Sequence, residues 1–158
     1  RFLMFGLVEN DIELTWEQLL ALPQSLVTAD FHCVTQWSRL NNHWGGVLFK
    51  DVIRLIKPMP DARYVMVHCF GEYSTNLSLR ALMEDDVIFA YSHDGAPLEP
   101  DHGGPLRLVI PKRYGWKSAK WVIALQFMAN NEPGFWEANG YDNNGNPWLE
   151  ERFNYGPR

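Results

Sequence analysis

The stretch Tyr64-Val65-Met66-Val67-His68-Cys69 constrains the fold most, because it is apolar residue after residue at its start. Strand side chains alternate between two faces, so an unbroken apolar run reads as a strand covered on both sides. Further strands are expected over residues 2–8, Leu26–His32, Val87–Tyr91, Leu106–Ile110 and Trp121–Met128. Helices are fewer and short. Thr15-Trp16-Glu17-Gln18 fits a capping box, with Thr15 as N-cap and Gln18 reaching back, and its helix stops at Leu22 before Pro23. After a turn cluster at Asn41–Gly46, Phe49, Val52, Ile53 and Ile56 recur at helical spacing until Pro58. Leu79–Met83 makes a third helix, and Asp94-Gly95-Ala96-Pro97 turns the chain. The tail from Asn130 to Arg158 reads as irregular, anchored by Phe135, Trp136, Trp148 and Phe153. The pattern predicts an α+β fold with more strand than helix. At 158 residues it is expected to form one domain, 1–158, with a sizeable core.

Chemistry concentrates at Asp30-Phe31-His32-Cys33-Val34-Thr35-Gln36-Trp37-Ser38, where an expected strand delivers Cys33 to a loop. A thiol at a strand end, surrounded by hydrogen-bond donors, suits a soft metal held as its thiolate. The plainer alternative is a small buried hydrophobe. Cys33 and Cys69 form no Cys-x-x-Cys pair and suggest no disulfide framework. The dipeptides His32-Cys33 and His68-Cys69 invite a zinc reading, but neighbours on a strand point to opposite faces. Zinc would need one member of each pair together with His43 or His102, at no familiar ligand spacing. A cysteine hydrolase is equally conceivable, yet no nucleophile signature surrounds Cys33.

The formal net charge of −5 argues against a general nucleic-acid binder. Acidity hides a local reversal: Arg107, Lys112, Arg113, Lys117 and Lys120 fall in one stretch without a single Asp or Glu. Upstream, Gly103-Gly104 allows backbone N–H groups to approach a ligand closely, and Ser118 adds a hydroxyl. The segment reads either as a cradle for a phosphate or sulfate or as an exposed basic hairpin solvating an edge strand. Seven Trp exceed what a simple core requires, so part of that excess is expected to line a pocket. No apolar run approaches the ~20 residues needed to span a bilayer. The chain opens on Arg1-Phe2-Leu3 without an initiator Met and looks like part of something longer. A soluble protein is expected, cytoplasmic or periplasmic, with the compartment open.

Taken in order, His32-Cys33-Val34-Thr35-Gln36-Trp37-Ser38, Trp44-Gly45-Gly46-Val47, Asp94-Gly95-Ala96-Pro97-Leu98, Asp101-His102-Gly103-Gly104-Pro105-Leu106-Arg107, Tyr114–Trp121 and Glu132-Pro133-Gly134-Phe135-Trp136 form an ordered set. That set resembles the molybdopterin-binding domain of the sulfite oxidase superfamily over nearly the whole chain. The resemblance implies that superfamily's strand-rich mixed-sheet fold and a molybdenum–molybdopterin cofactor (Moco). It implies that Cys33 supplies a thiolate to molybdenum, the remaining sulfur coming from the pterin dithiolene. It places His32, His102, Arg107, Ser118, Ala119 and Lys120 at the cofactor, with Arg107, Ser118 and Lys120 holding its terminal phosphate and His102 touching its middle, and Tyr141 near the metal. Arg39 falls near a position where the family often carries an arginine.

The chain departs from animal and plant sulfite oxidases, which follow the cysteine with Ala-Gly-Asn-Arg where this chain has Val34-Thr35-Gln36-Trp37. Their arginines before the active-site tyrosine are here Ala138-Asn139-Gly140. The closer resemblance is to the bacterial branch that includes the protein-methionine-sulfoxide reductase subunit. The implied function is oxygen-atom transfer on a small substrate, with electrons exchanged with a haem or other electron-transfer protein. The alternative is a non-catalytic anion- or pterin-binding module of the same fold.

Overall fold

The computed structural model describes residues 1–153; the last five residues of the expected tail, 154–158, lie outside the described residues. The strands are β1 (Phe2–Gly6), β2 (Ile12–Leu14), β3 (Ser25–His32), β4 (Ser38–Leu48), β5 (Tyr64–Cys69), β6 (Ser74–Ser78), β7 (Ile88–His93), β8 (Ala96–Pro97), β9 (Arg107–Val109) and β10 (Val122–Met128). The helices α1 (Trp16–Leu20), α2 (Phe49–Val52), α3 (Leu79–Leu82) and α4 (Phe135–Ala138) are short. One sheet has the order β2-β1-β10-β5-β6, and the pairing of β1 with β10 is parallel, which makes it mixed. The other, β3-β4-β7-β8 with β9 also on β7, is antiparallel. No helix among the described residues is long and apolar enough to cross a membrane.

The apolar run at β5 lies inside the mixed sheet between β10 and β6, and Val65, Met66 and Val67 are all buried. It is covered on both faces, as its composition requires. The main core gathers Phe2 and Met4 of β1, Val67 of β5 and Phe127 of β10 with Val47, Phe89 and Leu108 from the second sheet. Phe2 meets Phe89 edge-on at 5.3 Å. Burying a side chain of this size contributes roughly 1.5–3 kcal/mol. A smaller cluster, Val27, Trp44, Ile88, Ala90 and Val109, forms on the second sheet. Since Leu108 joins the main core and Val109 the smaller cluster, strand alternation puts Arg107 on the side of the smaller cluster.

The α1 capping box is present, with Thr15 Oγ1 accepting from the Gln18 N–H and Gln18 Oε1 accepting from the Thr15 N–H. The expected turn cluster at Asn41–Gly46 is instead the interior of β4. Its glycines serve close approach: a Cβ on Gly46 would collide with the Phe89 carbonyl of β7, and one on Gly45 with Ser92 Oγ. The predicted helix from Phe49 is a single turn of α-helix that tightens to a 3-10 turn at Ile53–Leu55. Strands β2 and β6 were not anticipated. The tail's aromatic anchors are also less buried than expected, with Trp148 65% exposed and Phe135, Trp136 and Phe153 all exposed. Phe135 and Trp148 still touch the body at Tyr73 and His32, and the buried Glu137 adds polar contacts.

Candidate functional site

β3 ends at His32, and Cys33 opens a tight turn. The Cys33 N–H donates to the Trp37 carbonyl at 2.8 Å, and the Gln36 N–H donates to the Cys33 carbonyl at 3.1 Å. Cys33 is a partly exposed free thiol whose Sγ lies 3.1 Å from Thr35 Oγ1. His32 Nδ1 lies 2.8 Å from Ser38 Oγ, and its ring meets Trp148 edge-on. Cys69 differs in kind: it is buried, and desolvation pushes its thiol up to about 12, so it remains protonated. To close the turn Gln36 adopts φ of 72°, the left-handed region that disfavours side chains. Gln36→Gly is therefore expected to raise stability by about 0.5–1 kcal/mol, read from the denaturant midpoint. A loss of stability would remove the strain argument.

Arg107 leaves β9 into a polar and aromatic setting. It is 6% exposed, and burial lowers its pKa to about 10. Its Nη1 donates to the His102 carbonyl at 3.1 Å and its Nη2 to the Ser118 carbonyl at 2.9 Å. Its guanidinium lies 5.4 Å from the Phe31 ring centroid and 5.2 Å from that of Trp44. Among the described residues it has no carboxylate within ion-pair distance, and its Nε has no hydrogen-bond partner. A cavity of about 480 Å³ is lined by Arg107, His102, Phe31, Trp37, Trp44, Arg39, Asn42 and His93, among others. Cys33 does not line it, but its neighbours Phe31 and Trp37 do.

Arg39, on the same wall, has an answered charge. It donates to Asp94 Oδ2 at 2.6 Å and also contacts Asn42 Oδ1 and His93 Nε2. The Arg39 hydrogen bond, aided by the His43 N–H, holds the Asp94 carboxyl at about 2. Burial lowers the His93 pKa against the opposing pull of Asp94. Sequence reasoning had Trp44 only as part of a motif and Asn42 only in a turn cluster, and did not single out His93; strand pairing brings the three together here.

Ser118, Ala119 and Lys120 line a second cavity of about 230 Å³ with Gly115, Trp116 and Trp136. One hydrogen bond links the linings of the two cavities, from Arg107 to the Ser118 carbonyl, and Gly103 packs against the side chains of both Arg107 and Lys120. Ser118 Oγ accepts from the Ile110 N–H, and Lys120 Nζ donates to the Asp101 carbonyl. The Cys33 turn reaches this loop through a parallel bridge between His32 and Tyr114 and through Gly115, which lies under the Phe31 ring. Tyr141 sits behind the second cavity, stacked on Trp136 and edge-on to Trp116, each at 4.9 Å.

The other basic side chains of this stretch are occupied. Lys112 pairs with Glu84 at 2.8 Å, and Arg113 donates to Asn144. Lys117, with 0% exposure, is sealed behind the loop; its Nζ lies 3.2 Å from Glu137 Oε2 and donates to the Asn76 carbonyl at 2.6 Å. Burial depresses its pKa to about 8 despite Glu137. Glu137 Oε2 also accepts from Trp116 Nε1 at 2.7 Å and Thr75 Oγ1 at 3.0 Å. Nothing in the sequence marks this pairing of distant residues. Among the described residues no three His, Cys, Asp or Glu side chains gather as a metal site.

The backbone matches the crystal structure of the sulfane dehydrogenase SoxCD from Paracoccus pantotrophus with a TM-score of 0.75 and 25% identity, over 82% of this chain and 38% of that one. The fold is thus of the strand-rich sulfite oxidase type. The chain belongs to the family described as the oxidoreductase molybdopterin binding domain, whose model matches residues 1–136. It is a molybdopterin-dependent oxidoreductase domain, and its cofactor is molybdenum–molybdopterin. It is similar to the uncharacterized oxidoreductase YuiH of Bacillus subtilis, 43% identical over 96% of this chain and 77% of that protein. It is also similar to the putative protein-methionine-sulfoxide reductase subunit YedZ1 of Azospira oryzae, 34% identical over 87% of this chain and 52% of that protein. The chain thus spans about half of the latter. The residues fit the cofactor: a buried guanidinium without a counter-charge suits a phosphate-bearing group, and the walls of Phe31, Trp37 and Trp44 suit a flat heterocycle.

Proposed function

We propose that this domain carries out oxygen-atom transfer on a small, sulfur-centred substrate and exchanges electrons with a separate partner, a haem or other electron-transfer protein. The bound cofactor supplies the two-electron redox chemistry. Cys33 supplies the thiolate that holds the metal, at the mouth of a strand and partly open to solvent. Beside it, His32 orients the turn through Ser38. His102 and Arg107 hold the pterin, with Arg107 donating toward its negative charge. Ser118, Ala119 and Lys120 cradle the terminal phosphate. Tyr141 is the hydrogen-bond donor toward the substrate. In this reading residues 1–158 act as one domain. The names of the Azospira and Paracoccus relatives refer to sulfoxide and sulfane chemistry, which supports the choice of substrate class.

The observation that carries this reading is the buried, uncompensated charge of Arg107 on the wall of the larger cavity. An unpaired buried cation is costly unless an anion answers it. Protein made in a molybdopterin-competent host should hold about one molybdenum per chain by the one-thiolate logic of the site. Arg107→Ala should lower pterin retention roughly ten- to a hundredfold, the worth of one charge-assisted hydrogen bond of about 1.5–3 kcal/mol. Turnover of the fraction that keeps its cofactor should change less. A variant with full cofactor would remove Arg107 from the site. A wild-type protein without molybdenum would leave only the anion-binding module. Sulfite, S-oxides and N-oxides, assayed side by side, identify the substrate.

A further inference from the structure

The Cys33 turn holds a contact that the assignment of a metal-binding thiolate leaves unused. Thr35 Oγ1 lies 3.1 Å from Cys33 Sγ, within reach of a sulfur hydrogen bond. As a free thiol and a hydroxyl, either partner could donate. Once the sulfur is a metal-bound thiolate it carries no proton, and the direction is settled: Thr35 donates and the sulfur accepts. The turn holds the pair together. Two backbone hydrogen bonds close it, from Cys33 N–H to the Trp37 carbonyl and from Gln36 N–H to the Cys33 carbonyl. The β-branched Thr35 side chain has few rotamers through which to escape. Thr35 itself is exposed, so its hydroxyl is not needed to fill a core.

We propose that Thr35 is a positioning residue that tunes the redox centre by donating a hydrogen bond to the Cys33 sulfur. This rests on the reading of Cys33 as the metal ligand. A hydrogen bond to a ligating sulfur draws electron density away from the metal and stabilises its reduced state, which raises the reduction potential. Its loss lowers that potential. The same loss raises the energy of the sulfur lone pair, so sulfur-to-metal charge transfer moves to longer wavelength.

The test uses holoprotein from a molybdopterin-competent host, carrying Thr35→Val or Thr35→Ser. Valine keeps the branched shape and occupies the place a substituting water would take; serine keeps the hydroxyl. Molybdenum content is measured first, then the charge-transfer absorption and the midpoint potential by redox titration. The expected result is a longer-wavelength band and a lower potential in the valine variant, with both restored toward wild type in the serine variant. A valine variant with full molybdenum and an unmoved band and potential overturns the tuning role while leaving the cofactor assignment in place. A charge-transfer band and potential left unmoved in Cys33→Ser overturn the ligand assignment itself, so the two failures are told apart. A purely structural Thr35 would alter the melting temperature and leave both redox readouts still.

Discussion

Cys33→Ser should leave the protein folded and abolish the cysteine sulfur-to-molybdenum charge-transfer band. Cys33 is partly exposed and belongs to neither hydrophobic cluster, so the exchange of sulfur for oxygen removes little packing. Serine keeps the size of the side chain but is no thiolate donor for a soft metal. On the proposed ligand role, the pterin dithiolene still holds the metal, so the band should be lost while molybdenum content falls far less. Absorption spectra and elemental analysis of wild-type and variant protein from one molybdopterin-competent host separate the two effects. Cys69→Ser supplies the control. Its thiol is buried and held protonated, so the band should stay while packing suffers slightly. A band lost from the Cys69 variant with folding intact, and kept by the Cys33 variant, would reverse the roles of the two cysteines.

The second large effect lies behind the Ser118–Lys120 loop. Glu137→Ala should destabilise the domain by about 3–5 kcal/mol, because it strands a fully buried ammonium on Lys117. Trp116 Nε1 and Thr75 Oγ1 lose their acceptor at the same time. For a chain of this length that corresponds to a fall of roughly 10 °C in melting temperature. The double variant Lys117→Met with Glu137→Met should recover much of the loss, since a buried pair replaced by apolar groups is often near neutral. Calorimetry on the three proteins tests this. A single variant within about 1 kcal/mol of wild type would show that the pair is not what fastens the tail.

Some of the architecture was legible from local pattern. The apolar run at β5 announced a strand covered on both faces, and Thr15 with Gln18 announced a helix start, because those signals depend on neighbours in the chain. The Cys33 turn was legible for the same reason: β3 ends one residue before it. Gly45-Gly46 misled, since glycine serves a turn and a close strand approach equally well, and only the arrival of β7 beside β4 decides between them. β6 was hidden because Ser74-Thr75-Asn76-Leu77-Ser78 looks like loop. Its Thr75 and Asn76 side chains are buried with partners from elsewhere: Glu137 for Thr75, and Asn131 and Asn143 for Asn76.

The basic stretch marks the division most clearly. From residue types alone, the chain determined that a thiol, a pair of glycines and five cations were available, and the order of its motifs pointed to the cofactor that could use them. Five cations in one run look alike on paper. Tertiary structure cancelled Lys112 with Glu84 and Lys117 with Glu137, and left Arg107 between two aromatic rings without an acid. The physical reason is that charges interact over a few ångströms of space, whatever their separation along the chain, and burial strengthens each uncancelled one.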